Sequence, residues 1–338
     1  MIIGICHVPH PSSEPYAGEM YVSSADTAVV PAALSPVTPP LAAAERAWTV
    51  AGIHAAGLYL TAPAGSRIRV VPVIGTGAYD LPTAVRTRVP AAVFTAGLRI
   101  GDRVAAAPDR LLLPAAELRI MRMWRPQRIS PAPTPPPTLG TAAAPGAAAA
   151  LGTAGADLPA ALAALQPGIA DAASSAEQIV RTALTGSRDS ETGTGPRSAA
   201  LAEQIAALIG RGPGLTPSGD DVLCGIALAL RWRSAWDTLD RFRTALTPQL
   251  SSTTAISASL LETALDGWCT TPVAKALSAA QSGDSAAFAQ HLGGIGHTSG
   301  HDLGAGVLAA CRVLTQPSPQ PAGGSPDRTE GEVHALSR

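Results

Sequence analysis

The first half of the chain is patterned as short apolar runs separated by glycine and proline. Runs of this length, bounded by turn-forming residues, are typical of strands rather than helices. The strands that they predict lie at 50–54, 58–60, 68–74, 92–94, 103–105 and 111–113. We therefore expect a small, mostly antiparallel β-sheet or barrel across residues 42–128.

The second half repeats its apolar positions at helical spacing. The predicted helices lie at 173–184, 198–209, 232–246, 251–268, 272–282, 285–292 and 302–314, and another follows residue 218. Ser251 or Ser252 is expected to cap the helix at 251–268, and a polar insert at 186–195 predicts a mobile loop. The expected fold class is α+β, with an N-terminal β domain and a C-terminal α-helical domain that carries two Gly-rich loops at helix N-termini.

Changes in composition predict the domain boundaries. Residues 1–41 are rich in Pro, Ser and Ala and predict a flexible N-terminal extension. A Pro/Ala/Gly-rich linker is expected at 129–157, between the β-rich domain and a helical domain at 158–315. The Pro/Gly/Ser-rich residues 316–338 predict a disordered tail.

The most unusual stretch is 210–221, which combines glycines, prolines, hydroxyls and carboxylates directly before an apolar helix. Either Ser218 is the N-cap with Asp221 three residues later, or Thr216 is the cap and Pro217 opens the helix. In both cases unpaired backbone N–H groups and the positive end of the helix dipole favour an anion. The residues expected to bind it are Arg211, Gly212, Gly214, Thr216, Ser218 and Gly219.

The same pattern occurs twice. Residues 218–226 align without a gap on 299–307, and both read Ser-Gly-x-Asp-apolar-x-x-Gly-apolar. Two ordinary capped helices, in which Gly225 and Gly306 permit close packing, would explain this repeat. Two helix N-termini that face one shared site would also explain it, and this interpretation is favoured because capping alone does not require glycine directly after serine. The second copy adds Thr298, Ser299 and Gly300 to the expected binding residues.

Bulk properties exclude several classes of protein. The formal net charge is −1, which argues against a nucleic-acid or membrane-surface binder. Lys275 is the single lysine, so no Walker lysine follows a Gly-rich loop. The four cysteines form no C-x-x-C pair. The chain lacks both a signal-peptide pattern and an apolar run of about 20 residues, so we expect a cytoplasmic protein with a small-molecule substrate.

Residues 212–221 and 296–300 resemble the AllH-like family, an oxamate carbamoyltransferase subunit family formerly known as a domain of unknown function. The resemblance extends to 101–104, 118–126 and 253–257 and covers roughly 48–315, less the linkers. It implies carbamoyl transfer between carbamoyl phosphate and an acceptor such as oxamate, in allantoin and purine degradation. It also implies a multi-subunit complex with FdrA/AllF-like and AllG-like partners. The phosphate motif of the aspartate and ornithine carbamoyltransferases is absent.

The residue chemistry suits that implication. His297, His301, Ser218 and Ser299 are the candidate catalytic residues. Arg211 is expected to pair with a phosphate group. The carboxylates would repel a bare phosphate, so they either act as caps, as favoured for Asp221 and Asp302, or hold Mg²⁺. Asp220 is the better candidate for a metal ligand, with Asp221 as the other.

Three functions remain open on this evidence. The chain is a carbamoyltransferase subunit with its own phosphate site, a non-catalytic assembly subunit of that complex, or a Mg²⁺-dependent phosphotransferase or hydrolase. Hydroxyls and carboxylates together favour an enzyme. The absence of a recognised nucleophile motif weighs against the third possibility.

Overall fold

The computed structural model describes residues 27–41, 48–61, 70–132, 169–186, 195–296 and 298–316. In these ranges a strand-rich unit precedes a helical unit, which confirms the predicted α+β class. Within the described part of the chain, no helix has both the length and the apolarity needed to cross a bilayer.

The strand-rich unit is a closed eight-stranded barrel with the strand order β1-β5-β4-β3-β2-β6-β7-β8. Neighbouring strands are antiparallel except for the pairs β1–β8 and β4–β5, which are parallel. Buried valine and leucine side chains form its core, together with Trp48 and Phe94. The strands are β1 (Ala28–Leu34), β2 (Trp48–His54), β3 (Gly57–Thr61), β4 (Val70–Ile74), β5 (Val85–Thr87), β6 (Arg103–Ala107), β7 (Arg110–Leu112) and β8 (Ala116–Met123).

The barrel differs from expectation at two places. Its first strand, β1, lies inside the segment 1–41 that was expected to be a flexible extension, so the β-rich unit starts before residue 42. The strand was not predicted because it contains Pro31, and proline cannot donate a hydrogen bond to a sheet ladder. The predicted strand at 92–94 is instead a single helical turn, α1 (Ala92–Thr95), which begins two residues after Pro90.

Helices α2 to α9 and one 3₁₀ helix form the second unit, around a core that includes Ile179, Ile205, Leu223, Phe242 and Phe288. The helices are α2 (Ile169–Thr185), α3 (Pro196–Ala206), α4 (Ser218–Trp232), α5 (Trp236–Leu246), α6 (Ala255–Leu265), α7 (Thr271–Gln281), α8 (Ser285–Gly293) and α9 (Ser299–Thr315), and the 3₁₀ helix is Thr247–Ser252.

Most predicted helices are confirmed, with shifts of a few residues at their ends. The cap of α6 is Thr254, not Ser251 or Ser252, because those serines belong to the preceding 3₁₀ helix. Residues 1–26, 187–194 and 317–338 lie outside the described residues, as do 133–168 of the predicted linker and early helical domain. The described start of that linker includes Ile129, which is buried in the helical core.

Helices α4 and α9 form the centre of the helical unit. Residues 219–230 of α4 are all buried, and α4 packs along α9. A Cβ on Gly225 would lie 3.0 Å from the Leu303 carbonyl carbon, and one on Gly306 would lie 3.0 Å from the Val222 carbonyl carbon. The two helices therefore cross backbone to backbone at a matched pair of glycines.

The barrel and the helical unit are joined by several direct contacts. Strand β9 (Gln127–Arg128) pairs with β10 (Trp268–Cys269) in a small antiparallel sheet. Asp80, in the loop after β4, accepts a hydrogen bond of 2.9 Å from the Thr271 N–H at the start of α7. The hydroxyl of neighbouring Tyr79 donates to the Gly294 carbonyl, in the loop that leads to α9. The barrel thus supports one of the two Gly-rich loops.

Candidate functional site

The first turn of α4 is capped by main-chain groups. Pro217 occupies the N-cap position and Ser218 is the first helical residue, with no side-chain cap. Neither predicted cap, Ser218 or Thr216, is therefore correct. The Gly219 N–H donates to the Arg211 carbonyl at 2.9 Å, and the Asp220 and Asp221 N–H groups donate to the Pro217 carbonyl. Few amides remain free for a ligand.

The loop glycines bring the chain close to the first turn of α4. A Cβ on Gly212 would lie 2.8 Å from the Ser218 nitrogen, and its φ of +121° also favours glycine. Gly214 has a φ of +95°. Among the described residues, the Ser218 N–H has no main-chain acceptor, so it is a donor without a main-chain partner at the positive end of α4.

The start of α9 is built in the same way. Thr298 occupies the N-cap position, and the Gly300 N–H donates to the Ile295 carbonyl at 3.1 Å. Gly296 has a φ of +57°, and a Cβ there would lie 3.4 Å from Ser299 Oγ. The repeat in sequence is therefore also a repeat in local backbone structure.

The glycine directly after each serine has a packing role. A Cβ on Gly219 would lie 2.9 Å from the Leu208 carbonyl carbon, and one on Gly300 would lie 2.7 Å from the Leu292 carbonyl carbon. Each helix start is thus pressed against the end of the preceding helical segment. Packing therefore explains the two glycines. The serines and aspartates are the residues of the motif whose side chains are able to act on a ligand.

These serines and aspartates are paired crosswise between the two helices. The Ser299 hydroxyl of α9 faces Asp221 of α4 and lowers the pKa of its carboxyl group, and the Ser218 hydroxyl of α4 acts in the same way on Asp302 of α9. Thr216 Oγ1 lies 3.2 Å from Ser299 Oγ and extends the first pair into the loop before α4. Thr298 also acts on Asp302 in this way. The structure therefore brings together Thr216, Ser218, Thr298 and Ser299, four of the predicted site residues.

Both aspartates of this crossed arrangement are buried, with exposed fractions of 7% for Asp221 and 4% for Asp302. Each has one buried oxygen, Oδ2, without a hydrogen-bond partner in the described structure. Burial raises the pKa of Asp221 to about 8, and the nearby charges of Asp302 and Asp220 raise it further against the effect of the Ser299 bond. Burial also raises the pKa of Asp302.

Asp220 does not fit the role of metal ligand that the sequence suggested. Its Oδ1 accepts from the Gly210 N–H at 2.7 Å, and its Oδ2 accepts from the Thr253 hydroxyl. Asp220 therefore fixes the start of the loop before α4 to the segment before α6. Among the described residues, no group of three or more His, Cys, Asp or Glu side chains could hold a metal.

Arg211 and the histidines occupy different positions. Arg211 is exposed at the tip of the loop before α4 and, in the described ranges, has no ion-pair partner. His301 is half-buried in the first turn of α9, where its charge acts on Asp302. His297 lies outside the described residues.

Two threonines were missed as site residues. Thr253 donates to Asp220, and the Thr254 hydroxyl donates to the Leu215 carbonyl at 2.6 Å while it caps α6. Through these bonds, the two threonines attach the loop and first turn of α4 to the start of α6. Their signal was present in the segment 253–257, which belongs to the resemblance but shows no chemical motif of its own.

One family model matches the part of the chain that contains these two loops. Residues 208–311 match the family model described as oxamate carbamoyltransferase subunit AllH. This segment is AllH-like. The AllH-like segment begins at Leu208, whose carbonyl meets Gly219, and ends at Cys311 within α9, so it contains both loops and both crossed pairs.

The resemblance drawn from the loop motifs is thereby confirmed. The barrel motifs at 101–104 and 118–126 lie outside the AllH-like segment. No curated protein and no solved structure gives a significant match to the chain.

Proposed function

We propose that this chain is a subunit of an oxamate-type carbamoyltransferase and that it binds carbamoyl phosphate, or phosphate, where the first turns of α4 and α9 meet. The observation that carries the proposal is the coincidence of two independent features. The AllH match covers 208–311, and the two repeated helix starts inside it are bonded to each other through their hydroxyl and carboxyl groups.

The donors around the two first turns suit a phosphate dianion. The Ser218 N–H has no main-chain acceptor among the described residues, and the positive ends of two helices point to the same region. Arg211 is exposed nearby and supplies the charge-assisted hydrogen bonds that a phosphate takes from a guanidinium. The ligand displaces the Thr216–Ser299 contact or bonds to those hydroxyls directly.

The reaction is carbamoyl transfer between carbamoyl phosphate and an amide-type acceptor such as oxamate. In one direction the amide nitrogen attacks the carbamoyl carbon and phosphate leaves with the electrons of the C–O bond. The site residues position the phosphate and stabilise its charge. His297 and His301 are proposed to act on the carbamoyl group, within a complex that includes FdrA/AllF-like and AllG-like subunits in the cytoplasm.

The test is phosphate release from carbamoyl phosphate and oxamate, measured with the purified chain alone and then with its partner subunits. We expect turnover with the partners present and its loss in Arg211→Ala. Arg99→Ala, which removes an exposed arginine of the barrel, is the matched control and should keep full turnover. Equal turnover in both variants would instead support the assembly-subunit function.

A further inference from the structure

The crossed aspartates leave a bonding problem that the proposed substrate site does not explain. Among the described residues, neither Oδ2 of Asp221 nor Oδ2 of Asp302 has a donor, and both atoms are buried. The charge of Asp302 also raises the pKa of Asp221. Two ionised carboxylates here would combine like-charge repulsion with two unsatisfied acceptors.

A single proton removes the like-charge repulsion and one of the two unsatisfied acceptors. A protonated carboxyl group provides one O–H donor, whereas an ionised carboxylate only accepts. One proton on this pair therefore replaces two charges by one and supplies a donor where only acceptors are present. Carboxylate pairs that cannot both ionise behave in this way and titrate as a unit.

We propose that Asp221 and Asp302 hold one proton between them and that Ser299 connects this proton to the reacting amide nitrogen of the substrate. The use of the proton rests on the proposed carbamoyltransferase function, whereas its presence on the pair does not. Ser299 touches the substrate. Asp221 acts through Ser299 and is a positioning residue.

The contacts needed for this connection are present. The Ser299 hydroxyl faces Asp221 and lowers its pKa, and the Ser299 oxygen lies 3.2 Å from Thr216 Oγ1 in the loop. Ser299 is half-buried, so its hydroxyl is the point at which the buried pair meets the surroundings. Ser218 makes the corresponding contact with Asp302.

The charges around the pair also favour a held proton. Asp220 on α4 is a third carboxyl group that raises the pKa of Asp221, and His301 on α9 acts in the opposite sense on Asp302. Cys224, one turn further along α4, is buried and has its own pKa raised by burial and by the two aspartates of α4. A thiol with a raised pKa keeps its own proton at neutral pH, so it does not accept the proton of the carboxyl pair.

The proton balance of the reaction is then complete. Transfer to oxamate starts after the pair has released its proton to water. When oxamate nitrogen then bonds to the carbamoyl carbon, Ser299 takes a proton from that nitrogen and passes its own proton to the ionised pair, while phosphate leaves with the C–O electrons. In the reverse direction, a phosphate oxygen attacks the carbamoyl carbon of oxalurate. The C–N bond breaks, and the nitrogen takes a proton from Ser299, which is refilled from the pair.

The held proton is tested without any activity by infrared spectroscopy of the purified full-length chain. We expect the carbonyl band of a protonated carboxyl group at neutral pH, fading as the pH passes about 8. Asp221→Asn should abolish the band and Asp302→Asn should move its loss to lower pH. Asp109→Asn removes a carboxylate that Arg110 keeps ionised and should change nothing. Absence of the band in the unaltered chain overturns the proposal.

The use of the proton is tested by the pH profile of carbamoyl transfer in the reconstituted complex. We expect Asp302→Asn to shift the limb near pH 8 in the same direction as the infrared titration. An unmoved limb with a moved infrared titration would show that the pair is structural and would overturn the proposal while the transferase function stands. A normal infrared titration with no transfer in any mixture would instead refute the proposed function, and with it the transfer of this proton to a substrate.

Discussion

Replacing Gly306 by alanine tests the backbone contact between α4 and α9. In an ordinary helix interior this change stabilises the fold by about 1 kcal/mol, because glycine is the poorer helix former. Here the new Cβ would lie 3.0 Å from the Val222 carbonyl carbon and 3.1 Å from the Ile226 nitrogen, and closer still to the Val222 oxygen. Backbone atoms cannot rotate away, so the helices must separate.

Overpacking of this kind costs about 3 kcal/mol at the upper end of its usual range. After the gain in helix propensity, we expect the free energy of unfolding to fall by about 2 kcal/mol. The sign is therefore opposite to that of the usual exchange. Urea unfolding followed by far-UV circular dichroism measures it.

The matched control is Gly293→Ala, at the end of α8. A Cβ there would meet only His301 Nε2 at 3.9 Å, which is ordinary contact. This variant should be as stable as the unaltered chain or slightly more stable. Equal or higher stability of Gly306→Ala would refute the close crossing of α4 and α9, and with it the geometry that joins the two loops.

Three further outcomes follow from the contacts. Burial raises the pKa of Asp221 to about 8, above its unfolded value of 3.8, so between these two pH values the folded chain binds a proton that the unfolded chain has lost. The free energy of unfolding therefore falls as the pH rises from 3.8 to about 8, by up to about 1.4 kcal/mol per pH unit. Asp221→Asn should remove this decline in urea unfolding at a series of pH values, and equal slopes would contradict it. Thr253→Val should lower the free energy of unfolding by about 2 kcal/mol, since it takes the hydroxyl donor from Asp220, and thermal unfolding would show no change if that bond were absent. Asp80→Ala should cost about 1 kcal/mol through the lost bond to the Thr271 N–H, and an unchanged denaturation midpoint would argue against this barrel contact.

The pattern of apolar positions predicted the barrel well where alternation was clear. In β2, Trp48 and Val50 point into the core while intervening positions are more exposed, as a period of two requires. The strand at 28–34 was missed because Pro31 argues against a sheet ladder. The run at 92–94 was assigned to a strand because a short apolar run does not distinguish a strand from a helical turn.

The repeat of Ser-Gly-x-Asp predicted two helix starts that act together, and the bond between Thr216 and Ser299 joins them. The partner of each aspartate was not predictable. A capping box assumes that serine and carboxylate of one helix bond to that helix's own backbone. Asp221 and Asp302 each face a serine of the opposite helix, which depends on how α4 and α9 cross, and Asp302 also faces Thr298 of its own helix. The bonds that Asp220 accepts from the Gly210 N–H and the Thr253 hydroxyl were not predictable for the same reason.

The most direct test of the account is turnover of the reconstituted complex with Ser299→Ala in this chain. Phosphate-dependent cleavage of oxalurate, or release of phosphate from carbamoyl phosphate and oxamate, is measured against the unaltered chain. Thr247→Ala, which removes an exposed hydroxyl of the 3₁₀ helix, is the control. We predict that Ser299→Ala loses activity by about 10²-fold or more while the control keeps it. Full activity of Ser299→Ala would contradict the assignment of the reaction to the meeting point of α4 and α9.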